Sequence, residues 1–195
     1  FKLKIINNFF DFYSNGENPN PCIDCNIHFK FGMLHELAKN LGFDFLATGH
    51  YARISNVGGF NFIEKGWDTT KDQSYGLYVL KNKDLQTVVL PLGDKTKVEV
   101  KKLAVELGLF KEISESYDIC FISDNDYISY FKQNPSYRPA RGTFEFVDGR
   151  VLGQYNDFNA YTIGQRKRLG ITYSEPLYVV KNNREDAKII VGRQE

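Results

Sequence analysis

The sequence predicts an α/β region over residues 1–128, a small β-rich region over 129–172 and the opening of a β domain over 173–195. Three observations carry this reading. Ile27, Phe31, Leu34, Ala38 and Leu41 recur at steps of four, three, four and three, which is one face of an amphipathic helix, and Gly42 stops it. The short apolar run Phe43 to Thr48 follows and leads at once into Gly49-His50, giving the α/β order of loop, helix, strand and glycine loop. Asp148-Gly149, flanked by Phe144, Phe146 and Val151, is a hairpin signal, and the chain beyond it is turn-rich and β-like.

The remaining elements follow in order. Phe1 to Tyr13 is apolar and aromatic and reads as the end of a helix. Ser14 to Pro21 is turn chemistry, and Pro19 and Pro21 bias the residues before them toward extended backbone, so this loop is stiff. Gly58-Gly59 marks a turn between two β-like stretches, Tyr51 to Ile54 and Phe60 to Glu64. Lys71-Asp72-Gln73 opens a predicted helix running to about Leu80. Thr96 to Glu99 fits a capping box for a helix carried by Val100, Leu103, Ala104 and Leu107 and ended by Gly108. Pro176 to Lys181 and Lys188 to Val191 read as two strands joined by a polar loop.

Composition narrows the class. Of 195 residues, 42% are hydrophobic, enough for a real core, and 25 Lys plus Arg against 24 Asp plus Glu leave a net charge of +1. That excludes a strongly basic nucleic-acid coat and leaves room for a local basic patch. Three cysteines, Cys22, Cys25 and Cys120, are too few and of the wrong parity for a secreted disulfide scaffold, and point to a reducing, cytoplasmic compartment. No apolar run is long enough to span a membrane. The chain opens at Phe1 in mid-pattern, which leads us to expect a fragment.

The candidates for chemistry are few. Cys22-Ile-Asp-Cys25, with His28 beyond it, is open to several readings: a zinc or iron–sulfur site, a redox pair, or buried apolar thiols. Cys25 falls where the stiff loop meets the first turn of a helix starting near Asn26, a position that favours thiolate. Cys120, in Asp118-Ile-Cys-Phe-Ile122, reads alone as a buried strand cysteine. His50 follows a strand and a glycine, where α/β sheets hold ligands. Lys71, Asp72 and Gln73 read either as an exposed helix start or as a polar contact set. Between residues 138 and 168 six cations face three acids, and Arg166-Lys167-Arg168 lies between Gly164 and Gly170, which suits contacts to an RNA backbone.

Six segments stand in one order: Pro19-Asn-Pro-Cys-Ile-Asp-Cys-Asn26, Ala47-Thr-Gly-His-Tyr-Ala-Arg53, Lys71-Asp-Gln-Ser-Tyr75, Pro91-Leu-Gly93, Asp118-Ile-Cys-Phe-Ile122 and Tyr161-Thr-Ile-Gly-Gln-Arg-Lys-Arg-Leu-Gly170. In this the chain closely resembles the tRNA-specific 2-thiouridylases, which place sulfur on C2 of the wobble uridine. The resemblance implies the C-terminal part of a PP-loop domain, then a small central tRNA-binding domain and the start of a β-barrel. It implies ATP-dependent adenylation of the uridine, Mg-dependent, and a cysteine persulfide relay. By motif position Cys25 is then the nucleophile and Cys120 the persulfide carrier, able to end as a Cys25–Cys120 disulfide. Gly49 would line the ATP site. Asn20, Pro21 and Cys22 would lie against the target base, and His50, Lys71, Asp72 and Gln73 would touch tRNA. A stiff proline loop beside a helix-terminal thiolate suits a flipped-out base. The implied partners are tRNA and a sulfur-relay protein, the expected state a monomer, with no resident metal.

Two departures stand against the pattern. The family's Ser-Gly-Gly-x-Asp-Ser phosphate loop is missing, and Asn56-Val-Gly-Gly59 does not replace it, so the chain alone is expected to be inactive. Arg168 stands where a glycine is common in the family, a change expected only to add charge. The rival reading is a noncatalytic RNA-binding module whose cysteines hold zinc or an iron–sulfur cluster. It requires Cys22 as well as Cys25.

Overall fold

The structure, a computed structural model, describes residues 1–109, 119–122, 126–134 and 136–193. Asp118 of the second cysteine motif and Glu195 lie outside the described residues. The chain divides into two units: Phe1 with Cys22–Tyr117, and Lys2–Pro21 with Asp118–Glu195.

A helix, α2, covers residues 21–40 in three consecutive stretches, Pro21–Asp24, a wide π-type stretch Cys25–Leu34, and His35–Asn40, and from Cys22 onward it belongs to the first unit. Pro21 suits the first helical position, where its missing N–H has no intrahelical partner and its φ is already set. The helix therefore starts five residues before Asn26, a correction to the predicted start. The predicted apolar face is also corrected. Of its five members only Phe31 is buried, while Ile27, Leu34 and Leu41 are exposed. In π-type turns hydrogen bonds run between residues five apart, so a pattern of threes and fours does not line one face. The buried positions are instead Asn26, Phe31 and His35.

Strand β1 (Leu46–Ala47) pairs in parallel with β4 (Val88–Val89), and β2 (Ala52–Val57) forms a hairpin with β3 (Phe60–Lys65). The predicted strand over Phe43 to Thr48 shrinks to two residues because its one ladder among the described residues, with β4, is that short, and Phe43 and Phe45 lie exposed. The core gathers Phe31, Ala52, Leu77 and Val88, with Leu46, Ile54, Ile63, Leu80 and Leu90 packed on it. Helix α3 (Asn82–Leu85) precedes β4. Helix α4 (Lys97–Glu106) opens on the predicted capping box: Thr96 Oγ1 accepts from Glu99 N at 3.2 Å and Thr96 N donates to Glu99 Oε2 at 2.7 Å. The Pro91-Leu-Gly93 segment runs tight against β2. A Cβ on Gly93 would meet the Ala52 carbonyl oxygen at 2.1 Å, so only glycine fits.

The predicted helix from Lys71 to Leu80 is a bend followed by one 3₁₀ turn, Ser74–Leu77. Side chains divert the backbone there. Asp72 Oδ1 accepts from Gly66 N at 2.9 Å and Ser74 N at 3.2 Å, and the Gly76 carbonyl accepts from Asn26 Nδ2 at 2.8 Å rather than from a following N–H.

In the second unit a π-type turn, Lys2–Ile6, leads into α1 (Asn7–Ser14), whose Phe9, Phe10 and Tyr13 pack with Ile122, Tyr137 and Phe131 of α5 (Tyr127–Lys132). Four strands form one sheet in the order β6-β5-β8-β7: β5 (Gly142–Phe146), β6 (Val151–Tyr155), β7 (Tyr178–Asn183) and β8 (Lys188–Gly192). The β5–β6 hairpin turns at Asp148-Gly149 as predicted, with Phe146 N donating to Arg150 O at 2.8 Å. Central β5 and β8 run parallel, so strands from 129–172 and from 173–195 share this sheet. Among the described residues it does not close into a barrel. Phe144, Phe158, Val179, Ile189 and Val191 fill its core. No helix among the described residues is long and apolar enough to cross a membrane.

Candidate functional site

Helix α2 presents the cysteines in sequence order. Asn20 is exposed just before it, Pro21 is buried, and Cys22 is exposed in its first turn. Cys25 begins the second turn and is half-buried. The expectation of Cys25 in the first turn is thus corrected by the start at Pro21, and the helix-end field, which fades beyond one turn, acts more on Cys22. Asn26 fixes the rotation of the helix. It is 2% exposed, and its amide nitrogen holds the Gly76 carbonyl while its Oδ1 is buried without a hydrogen-bond partner.

The loop after β1 comes to the same helix. Gly49 is exposed at the carboxyl end of a parallel strand, and a Cβ there would touch only Leu92 Cδ1 at 3.6 Å. That open backbone is compatible with a nucleotide at the strand end. His50 is 8% exposed, with its ring against Phe31. Its Nε2 lies 3.3 Å from Lys30 Nζ and its Nδ1 2.8 Å from Thr48 Oγ1. Lysine only donates, so Nε2 is the acceptor and the proton sits on Nδ1, donated to Thr48. Burial, then the neighbouring Lys30 charge, pushes the His50 pKa down to about 4, so the ring is neutral at pH 7. Both ring nitrogens are engaged inside the protein.

The Lys71-Asp72-Gln73 segment is a structured loop. Gln73 N donates to Tyr51 O at 2.9 Å, and Gln73 Oε1 accepts from Tyr51 N at 3.0 Å, which locks this loop to the residue after His50. Desolvation opposes ionisation of Asp72, but hydrogen bonds from Gly66 and Ser74 prevail and hold its carboxyl below the usual range. Asp68 takes Thr70 N at 3.1 Å and Lys97 N at 2.9 Å. Lys71 is half-buried.

Cys25 belongs to the first unit and Cys120 to the second. Cys120 is exposed, which corrects its reading as a buried strand cysteine; it lies in a turn. None of the three cysteines is in a disulfide. Among the described residues no three His, Cys, Asp or Glu side chains converge as a metal site, so Cys22, Cys25 and His28 do not make a zinc or cluster ligand set there.

In the second unit the basic loop borders a cleft of about 690 Å³, lined among others by Tyr127, Tyr161, Gln165, Lys167 and Arg168. Gly164 N donates to Val179 O at 2.8 Å and Gln165 O accepts from Val179 N at 2.9 Å, which pins the loop to β7. Arg168 has φ of +62°, left-handed backbone. Glycine would take that backbone without strain, so the arginine adds strain as well as charge, correcting the expectation of charge alone. Sequence reasoning also passed over Lys30. A lone cation within the apolar run Ile27 to Leu34 was the available signal.

Comparison with known proteins identifies two consecutive matches. Residues 1–124 match the tRNA methyl transferase HUP domain and residues 134–193 the tRNA methyl transferase PRC-barrel domain. The fold class is thus a PP-loop-like domain followed by a PRC-barrel domain, which bears out the expected PP-loop part with β-rich structure after it. The chain is 44% identical over 196 aligned residues to the tRNA-specific 2-thiouridylase MnmA of Leptospira interrogans, covering 100% of this chain and 52% of the relative. It is 40% identical to that of Clostridioides difficile, covering 100% and 55%, and 42% identical to that of Carboxydothermus hydrogenoformans, covering 98% and 53%. The chain spans about half the length of the curated relatives it matches.

Proposed function

The chain belongs to the tRNA-specific 2-thiouridylase family, and on that premise we propose that the complete protein transfers sulfur to C2 of the wobble uridine of tRNA, consuming ATP. The observation that carries the reading is the match over the whole of this chain, at 44% identity and through both domains, to a relative named for that activity.

The proposed steps are those the family resemblance implies. ATP, with Mg, is a co-substrate that makes the uridine C2 oxygen a leaving group; Gly49 offers backbone at its strand-end position. Cys120, loaded as a persulfide by a sulfur-relay protein, attacks C2 through its terminal sulfur, and AMP departs. The Cys25 thiolate then attacks the Cys120 sulfur, releasing 2-thiouridine and leaving a Cys25–Cys120 disulfide. A thiol reductant returns both to thiols. The exposure of Cys120 suits delivery of sulfur by another protein. Asn20, Pro21 and Cys22 border the target base, and Lys71 meets the RNA backbone. Asp72 and Gln73 act by shaping the loop that carries Lys71, since their side chains hold Gly66, Ser74 and Tyr51. His50 acts from inside the protein. The enzyme works as a cytoplasmic monomer.

The test uses full-length protein with tRNA, ATP and a persulfide donor, reading 2-thiouridine by mass spectrometry of digested tRNA. Cys25→Ser and Cys120→Ser are each expected to abolish the product while Cys22→Ser retains it. Normal thiolation by either of the first two would sink the relay.

A further inference from the structure

Lys30 is a half-buried cation with an unusual partner. Its ammonium sits 3.3 Å from the neutral Nε2 of His50. Among the described residues no carboxylate lies within ion-pair distance of it. A partly desolvated charge ordinarily has a counter-charge, and here the protein supplies a neutral acceptor that fixes the ammonium without neutralising it. The tautomer is set from the other side, because Thr48 Oγ1 takes the Nδ1 proton and leaves Nε2 free to accept. Burial of the His50 ring against Phe31 keeps it from charging and repelling the lysine. Helix α2 and the loop after β1, through Thr48 and His50 on either side of Gly49, thus hold one positive charge.

We propose that Lys30 binds a phosphate group at the Gly49–His50 loop, and that His50 is the positioning residue that holds its ammonium there. The inference rests on the thiolation reading for the source of that phosphate, which is either a nucleotide or the RNA backbone. An ammonium held by a neutral acceptor, with no carboxylate within ion-pair distance among the described residues, suits both. The arrangement also accounts for a histidine whose ring nitrogens are both occupied: it serves the site through the lysine.

Full-length wild type, Lys30→Gln, Lys30→Met and Lys30→Arg are titrated with ATP by calorimetry and with a tRNA transcript at several salt concentrations. Lys30→Gln and Lys30→Met are expected to weaken one probe by about tenfold and Lys30→Arg much less. A loss on tRNA with the logarithmic salt slope reduced by about one assigns the phosphate to RNA. A loss on ATP with tRNA unchanged assigns it to the nucleotide. His50→Gln, which keeps an acceptor, is expected to retain more affinity than His50→Leu, and the two should become equal in a Lys30→Met background. Wild-type affinities and salt slope in Lys30→Gln and Lys30→Met overturn the proposal. Wild type that makes no 2-thiouridine yet shows the Lys30 effect overturns the thiolation reading and leaves this one standing.

Discussion

Arg168→Gly should stabilise the protein, against the usual rule that glycine loosens a chain. Arg168 holds φ at +62°, where an L side chain brings Cβ against the following carbonyl at about 1–2 kcal/mol. Glycine escapes that strain but loses more freedom on folding, about 0.5–1 kcal/mol relative to alanine. The difference leaves a net gain of about 0.5–1 kcal/mol. The guanidinium is exposed and makes no hydrogen bond or ion pair among the described residues, so little is lost with it. Arg168→Ala is the control, since it removes the same charge and keeps the left-handed strain. In a chain of 195 residues each kcal/mol moves Tm by roughly 2–4 °C. Thermal unfolding followed by circular dichroism should place Arg168→Gly about 1–4 °C above wild type, with Arg168→Ala at or slightly below it. Urea midpoints should keep that order with unchanged slope. A glycine variant no more stable than the alanine variant would refute the backbone argument. Binding to a tRNA transcript separates the other contribution: both variants lose the same cation and should weaken equally.

His50 should make stability fall on acidification. Its pKa is near 6.5 unfolded and about 4 folded, so between those values the unfolded chain binds the extra proton, and stability declines as pH drops from 6.5 toward 4. His50→Gln should flatten that decline by up to about 2–3 kcal/mol in urea titrations; equal pH slopes in both proteins would show that the ring is not held neutral. Gly93→Ala, with a Cβ 2.1 Å from the Ala52 carbonyl oxygen, should lose at least about 2 kcal/mol or fail to accumulate as folded protein. Gly49→Ala should unfold within about 0.5 kcal/mol of wild type, since its Cβ meets only Leu92 at 3.6 Å. Equal stabilities for the two alanine variants would contradict the close approach at Gly93.

Local chemistry was legible where one short motif decides the backbone. The Thr96 capping box and the Asp148-Gly149 hairpin both form from atoms within a few residues of each other. Periodicity misled in α2 because π-type turns space the buried positions at Asn26, Phe31 and His35, a rhythm that a 3.6-residue reading does not test. The helix expected after Lys71 failed for a longer-range reason: Asn26, fifty residues earlier, takes the Gly76 carbonyl. The motifs located α2, the Gly49-His50 loop and the Lys71 loop on one unit. They did not reveal that His50 points inward to Lys30, since a pattern of residue types carries no information on which side of a loop a ring lies.

Residues 2–21 belong to the same unit as residues 118–195. Asn18 Nδ2 donates to Ile163 O at 3.0 Å, Asn182 Nδ2 to Gly16 O at 3.3 Å, and the Arg184 guanidinium to Ser14 O. A ribosome adding about 5–20 residues per second makes those partners some ten to thirty seconds after α1. Ile122, Phe131 and Tyr137, which cover Phe9, Phe10 and Tyr13, also follow α1 only after the intervening unit, which has its own core to close. Nascent chains of this protein therefore carry the sticky α1 segment until residues 122–137 emerge, and slowing elongation between the two should increase their demand for chaperones.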